Sequence, residues 1–288
     1  MPLLTLHLLR LSPNTEPRSF VQKLQSDENG VKVVVASVIR FPVVRSEIID
    51  ASTLNTKLWD LMLLLQVPAG SLPSSLRASI ADEYKIYVGV PSKLLSAYPA
   101  KNQKLRDAAS QAELTGSLDN SHVPNSSQNL TLSPEILNCT DELLKTHSGP
   151  VTQLNLLHFK KDRKAQYYQY GQRFVKVNEK RGGDAKIVGN VIPPPSGQTD
   201  SRSDSSSASE WWDEVAIVHY PSIKHFCDML AGEDYQAINN EFRLPVRVCR
   251  DDAGPRRGAN RRRQALKDTL LWCTTELEVM DSDQKARL

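Results

Sequence analysis

The sequence predicts a mixed α+β protein of two β-α-β-β-α-β halves, joined by a polar linker and packed sheet to sheet. Three observations carry that prediction. Apolar runs of strand length alternate with stretches of helical period along both halves of the 288 residues. The middle segment, residues 103–150, is rich in Ser, Asn, Thr, Gln and Asp and poor in large apolar side chains. It buries too little surface to offset its ordering entropy. Two blocks of the first half also recur in the second at nearly the same offset. The expected organisation is residues 1–102, a mostly disordered linker over 103–150 with one short helix near 134–145, and residues 151–280.

In the first half, residues 3–11 read as a strand that Ser12-Pro13-Asn14 stops. Residues 17–25 read as a short helix, with Pro17 at an early position and Phe20, Val21 and Leu24 on one stripe. Asn29-Gly30 is a turn signal, and residues 31–41, rich in β-branched side chains, form the clearest strand of this half. Residues 58–67 are a second strand, residues 74–82 a helix, and residues 84–90 a strand.

In the second half, residues 151–159 read as a strand and residues 163–180 as a helix with Tyr167, Tyr170, Phe174 and Val177 on one face. Gly182-Gly183 ends that helix with left-handed freedom. Residues 185–191 are a strand, and residues 193–209 a Pro/Ser/Asp loop, disordered by composition. Residues 214–220 are a strand, 221–231 a helix with Ile223, Phe226 and Leu230 at helical spacing, 234–240 a helical turn, and 270–279 the last strand.

The internal repeat ties the halves together. Leu6-His7-Leu8-Leu9-Arg10-Leu11 resembles Leu154-Asn155-Leu156-Leu157-His158-Phe159, an offset of 148. Trp59-Asp60, an apolar strand and Pro68 resemble Trp212-Asp213, an apolar strand and Pro221, an offset of 153. The Trp-to-Pro spacing is nine in both. One supersecondary unit used twice explains both matches. Asp60 and Asp213 are expected to be architectural.

Val215-Ala216-Ile217-Val218-His219-Tyr220-Pro221-Ser222, then Phe226, then Glu233-Asp234-Tyr235-Gln236-Ala237-Ile238 and Arg243, resembles the second half of a dimeric α/β-barrel domain. The likeness is greatest to the small single-domain family of unknown function in that superfamily, and Gly182-Gly183 before a strand fits the same pattern. It spans roughly residues 151–279. The first half joins it through the repeat alone, without the Tyr-Gln turn or the Gly-Gly pair. The resemblance implies ferredoxin-like (βαββαβ) halves whose open sheet faces pack together, here within one chain as a pseudo-dimeric α/β barrel with a cavity between the sheets. An antiparallel sheet with helices on one face does need a partner for the other.

Charge and composition narrow the partners. A net charge of +3 gives little reason to expect nucleic acid. No apolar run reaches the ~18 residues of a spanning helix, and the first eleven residues lack the basic start and cleavage site of a signal peptide. Cys139, Cys227, Cys249 and Cys273 form no CxxC pair and no metal-like spacing, so they read as thiols in a reducing compartment. Cytoplasmic location, no cofactor and no membrane are the resulting expectations. The three Asn-x-Ser/Thr triplets at Asn125, Asn129 and Asn138 read as chance.

Residues 246–265 hold seven arginines, two glycines and a proline, with little to pack. A solvated basic loop or a recruiting patch is one account. The preferred one is a retained intron over residues 246–264, because valine codons begin with GT and glutamine can be CAG. Its removal joins Pro245 to Ala265 by an ordinary short connection.

No Gly-rich phosphate loop, HExxH or GxSxG is present. His158 and His219 lie near the ends of strands expected to be neighbours, and they are the candidate proton shuttles because histidine titrates near neutral pH. His225 is expected at the surface or at an interface. Tyr167, Tyr220, Tyr235 and Arg243 are the candidate pocket or turn residues. Two functions fit these residues. One is binding of a small apolar molecule or a protein partner without catalysis, with a second copy of the chain as a further partner. The other is a cofactor-independent enzyme on a small aromatic or polyketide-like substrate. Fold analogy does not choose between them.

Overall fold

A computed structural model describes residues 2–26, 30–66, 72–120, 128–204, 210–243 and 265–279. The architecture is mixed α+β around a closed eight-stranded barrel. In chain order the elements are β1 (Leu3–Leu11), α1 (Pro17–Ser26), β2 (Lys32–Val44), α2 (Ala51–Thr56), β3 (Leu61–Gln66), β4 (Ile80–Gly89), α3 (Ser92–Ala108) and α4 (Pro134–Leu144). Then come β5 (Val151–Phe159), α5 (Lys164–Glu179), β6 (Asp184–Val191), β7 (Glu214–Tyr220), α6 (Ile223–Ala231), α7 (Glu233–Ile238) and β8 (Leu266–Glu276). The strands run β1-β3-β2-β8-β5-β7-β6-β4 around the barrel, and every pairing is antiparallel.

Two seams close it. The β2–β8 seam is long, whereas β4–β6 pairs through Val88↔Val191 and Gly89↔Asn190. Gly189 permits that second approach: a Cβ there would lie 2.6 Å from a methyl of Val88. Closure removes the open edges that would otherwise invite pairing with another chain.

Alternation along the strands builds layers on both sides of the sheet. Leu4, Leu6 and Leu8 of β1, Leu154 and Leu156 of β5, and Val215 and Ile217 of β7 point into one cluster drawn from both halves, the barrel interior. All four tryptophans, Trp59, Trp211, Trp212 and Trp272, join it. Leu9, Leu61 and Leu63 face outward onto Phe20, Val21 and Leu24 of α1. Val151, Val218 and Tyr220 face outward onto the helical layer of the second half. Strands buried on both faces read as continuous apolar runs, as Leu61–Leu65 of β3 do.

Residues 74–82 are not an α-helix. Ser74–Ser79 form a 3₁₀ turn and β4 begins at Ile80, because the alternation of Tyr84, Ile86 and Val88 draws the chain into the barrel. The helix after Gly89 escapes the periodicity argument: α3 buries Tyr98 alone and carries Pro99 inside. Residues 103–150 include the end of α3 and then α4, whose start Ser133 caps by accepting from the Ile136 amide (3.3 Å). Leu130, Leu132, Ile136 and Leu143 are buried there against the second half's helices. In the loop 193–204, the Gln198 side chain accepts from the Tyr87 hydroxyl (2.5 Å) and the Ser201 hydroxyl from the Lys85 amide (2.8 Å). Residues 205–209 and the arginine-rich 246–264 lie outside the described residues. His225 is buried rather than exposed, held between Ser222 Oγ (2.8 Å) and the Ala112 carbonyl (3.2 Å). Gly182 does take the left-handed backbone expected after α5, with φ of 68°.

Asp60 and Asp213 make the same three hydrogen bonds. The Asp60 amide donates to the Leu9 carbonyl (2.9 Å), its carboxylate accepts from the Leu11 amide (2.8 Å), and its carbonyl accepts from Ile39 (3.0 Å). Asp213 repeats this with Leu157 (2.8 Å), Phe159 (2.7 Å) and Val191 (2.9 Å).

Candidate functional site

A cavity of about 900 Å³ lies between α5 and the outer face of β5, β6, β7 and β8. The expected position, inside the barrel, is filled by the interior cluster instead. Bulky leucines and tryptophans alternate into that space from both halves, whereas the second half's outer face carries Ala185 and Ala216 on its floor and Gly171 on its roof. Small residues opposite small residues leave the gap. A Cβ built on Gly171 meets nothing within 4 Å, so no close approach requires glycine there. Gly171→Ala is expected to raise stability by about 1 kcal/mol, the ordinary cost of glycine inside a helix. A denaturation midpoint no higher than the parent's would show that Gly171 has another role.

The walls are aromatic. Phe159, Tyr167, Tyr170 and Phe174 follow one another at centroid spacings of 5.1, 5.2 and 5.8 Å. Tyr235 meets Phe174 at 6.3 Å, and Tyr220 packs edge-on against Phe226 at 5.1 Å. Burial pushes the phenols of Tyr167, Tyr170, Tyr220 and Tyr235 upward, so all four stay protonated donors at neutral pH. The Tyr170 and Tyr235 hydroxyls lie 3.2 Å apart, and one of the two keeps a proton to offer elsewhere.

Three of the polar groups on these walls bear on the cavity's chemistry. Arg243, only 4% exposed, lines the cavity and opposes the upward push on Tyr167, Tyr170 and Tyr235. Gln153 on the floor is 1% exposed, and neither atom of its carboxamide has a hydrogen-bond partner among the described residues. It lies beside the Cys273 thiol, whose pKa burial raises and the Gln153 side chain partly lowers. Glu214 is pushed upward by burial and partly offset by the Lys164 ammonium at 3.9 Å.

Tyr167, Tyr220, Tyr235 and Arg243, singled out in the sequence, thus all line one cavity. The two histidines do not. His158 Nδ1 sits 2.9 Å from Asp213 Oδ2, while His219 pairs in register with Thr152, six residues along β5. At about 3.3 Å per residue the two are roughly 20 Å apart. His219 is buried, and its Nε2 has no hydrogen-bond partner among the described residues. Burial, with Lys186, Arg106 and His225 nearby, lowers its pKa to about 3. Gln153 escapes the sequence reading, because a polar residue in a strand ordinarily marks the solvent face.

A second hollow of similar size lies between α3 and the ends of β2 and β8. Its polar groups are largely paired: Lys186 bonds Glu276 and the Asn102 side-chain oxygen (2.7 Å), and Arg106 faces Glu278 at 3.6 Å. Among the described residues no group of His, Cys, Asp or Glu is placed to hold a metal ion, and no helix is long and apolar enough to cross a membrane. Comparison of the chain with protein-family models, with curated proteins and with solved structures finds no match.

Proposed function

We propose that the chain binds a small, largely apolar molecule beneath α5 and does not transform it. The observation that carries this is an aromatic-walled cavity of about 900 Å³ with a few polar groups set into its walls, the ordinary make-up of a small-molecule site. His158 and His219 are both off this wall and far from each other, which weighs against the proton-shuttle enzyme.

A thermal-shift screen with apolar metabolites tests the reading. A ligand at a hundred times its Kd adds about 2.7 kcal/mol, which for a chain of this size is a rise of several degrees. Ala216→Trp, filling the floor, is expected to abolish the rise, and His219→Ala to leave it intact. The reading fails if no apolar compound shifts the parent, or if the filled variant responds equally.

We further infer that the two halves are copies of one ferredoxin-like unit of the dimeric α/β-barrel type. The orders β4-β1-β3-β2 and β8-β5-β7-β6 support it, as do the matching Asp60 and Asp213 clamps. At the offset of 148, Thr5 and His7 stand where Gln153 and Asn155 stand. In the first half this floor is satisfied internally: His7 bonds Thr5 (2.8 Å) and Glu83 (2.6 Å), and Arg77 holds Glu83 (2.5 Å). In the second half Gln153 is left open. On this account one copy completes the barrel and the other keeps the site.

A further inference from the structure

We infer that the molecule bound beneath α5 is an amphipathic monoanion, an acidic oxygen group on an aromatic body, with its charged group on Arg243. This rests on the reading that the cavity binds a ligand at all. Two independent observations point to a missing partner. The first is the guanidinium itself. Arg243 is nearly fully buried and, among the described residues, makes no ion pair. Glu214, the carboxylate on the same lining, pairs with Lys164 (3.9 Å), and the carboxylates nearby in the chain are engaged elsewhere, Glu241 with Arg173 (3.5 Å) and Asp234 with Arg181 (3.0 Å). A buried charge without a counter-charge is costly enough that proteins rarely keep one. The groups that do feel Arg243 are the hydroxyls of Tyr167, Tyr170 and Tyr235. Held protonated by burial, they donate rather than supply negative charge. One guanidinium with two free phenol protons, one from Tyr167 and one from the Tyr170–Tyr235 pair, is a set suited to an anionic oxygen.

The second observation is Gln153. Its carboxamide lines the same cavity, and apart from the neighbouring Cys273 thiol neither its oxygen nor its nitrogen has a hydrogen-bond partner among the described residues. A buried amide is expected to be satisfied, and a carbonyl or hydroxyl on the ligand's body would do so. Phe159, Phe174 and Phe226 supply apolar walls on which an aromatic body packs.

Two dyes of nearly one shape separate charge from apolarity: 8-anilinonaphthalene-1-sulfonate, an anion, and N-phenyl-1-naphthylamine, which is neutral. The parent protein is expected to bind the anion about tenfold more tightly, the scale of one charge-assisted hydrogen-bonded pair. Arg243→Met should erase that preference while leaving the neutral dye's affinity within about threefold. Ala216→Trp should weaken both dyes, which assigns the fluorescence to this cavity. The parent's own preference needs no variant, so a misfolded Arg243→Met leaves the test intact. Equal binding of the two dyes, both lost in Ala216→Trp, would overturn the anion while the cavity reading stands. An anion preference that survives in a folded Arg243→Met would overturn the role of that arginine. Binding of neither dye, or binding untouched by Ala216→Trp, would sink the cavity reading itself.

Discussion

Alanine at position 228 is expected to lower the stability of the chain by about 3–5 kcal/mol, the cost of breaking a buried ion pair from one side. Asp228 is 0% exposed and Arg181 2% exposed. The carboxylate accepts from Arg181 Nε (3.0 Å), from the Thr115 amide (3.2 Å) and hydroxyl (2.5 Å), and from the Leu118 amide (3.4 Å). Arg181 also reaches Asp234 (3.0 Å) and the Val177 carbonyl (3.1 Å). One carboxylate therefore ties the segment before α4 to the end of α5 and to α6. Removing it takes one of two carboxylates from a buried guanidinium, leaving Asp234 as its remaining acidic partner, and deprives the Thr115 and Leu118 donors of their acceptor. Burial raises the Asp228 pKa, but the hydrogen bonds from Thr115 and Arg181 outweigh it and hold the group below the ordinary range; Asp234 is held down likewise, by Arg181. A carboxylate depressed in the folded state stabilises the fold above its unfolded pKa, near 4, and loses that contribution as pH falls through the lower folded value. The parent should therefore lose stability on acidification below about pH 4, and Asp228→Ala should lack that part of the slope. Guanidinium titration followed by tryptophan emission checks both, since all four tryptophans report on the barrel interior. A loss under about 1 kcal/mol with an unchanged m-value would show the network to be dispensable.

The parts legible in the sequence are those where one physical rule acts alone. Residues 151–159 and 214–220 coincide with β5 and β7 because both faces of each strand are largely buried and β-branched and leucine side chains dominate the run. Helix α5 is legible from its stripe and its Gly182 stop. Helix α3 is not, because a helix burying only Tyr98 leaves almost no period to detect. Tyr167, Tyr220, Tyr235 and Arg243 are legible as candidates for a pocket or a turn, because a local pattern and the resemblance single them out. Their position outside the barrel is not, since alternation says that a residue is buried but not in which of two layers. His158 and His219 lie on neighbouring strands, yet antiparallel pairing sends the ends of β5 and β7 that carry them to opposite rims. Gln153 shows the limit from the other side. Its meaning lies in the partner it lacks, and a missing partner has no signature in the chain.

Asp268→Ala is expected to cost about 3–4 kcal/mol, because several donors lose one charged acceptor together. Asp268 is 5% exposed at the start of β8. Its Oδ2 accepts from the amides of Ile48 (3.1 Å) and Ile49 (2.8 Å), and its Oδ1 from those of Glu47 (3.0 Å) and Thr269 (2.9 Å). The Ser46 hydroxyl lies 2.7 Å from Oδ2 and equally 2.7 Å from the Ile49 carbonyl, sharing one proton between them. The carboxylate thus fastens residues 46–49 of the first half onto a strand of the second. The end of that loop leads into an internal relay: Ile49 enters the barrel core, and Asp50 accepts from the Tyr84 hydroxyl (2.8 Å), which accepts from Trp212 Nε1 (3.2 Å). Losing Asp268 should release the loop, loosen Asp50 and hydrate that end of the barrel. Tryptophan emission of the folded variant should then move to the red before any denaturant is added. Asp268→Asn should fall between parent and alanine, because an amide keeps one acceptor and turns its NH₂ toward donors. If both variants unfold at the parent's midpoint with unshifted emission, the loop is held by the burial of Ile49 alone and the carboxylate adds nothing to the joining of the two halves.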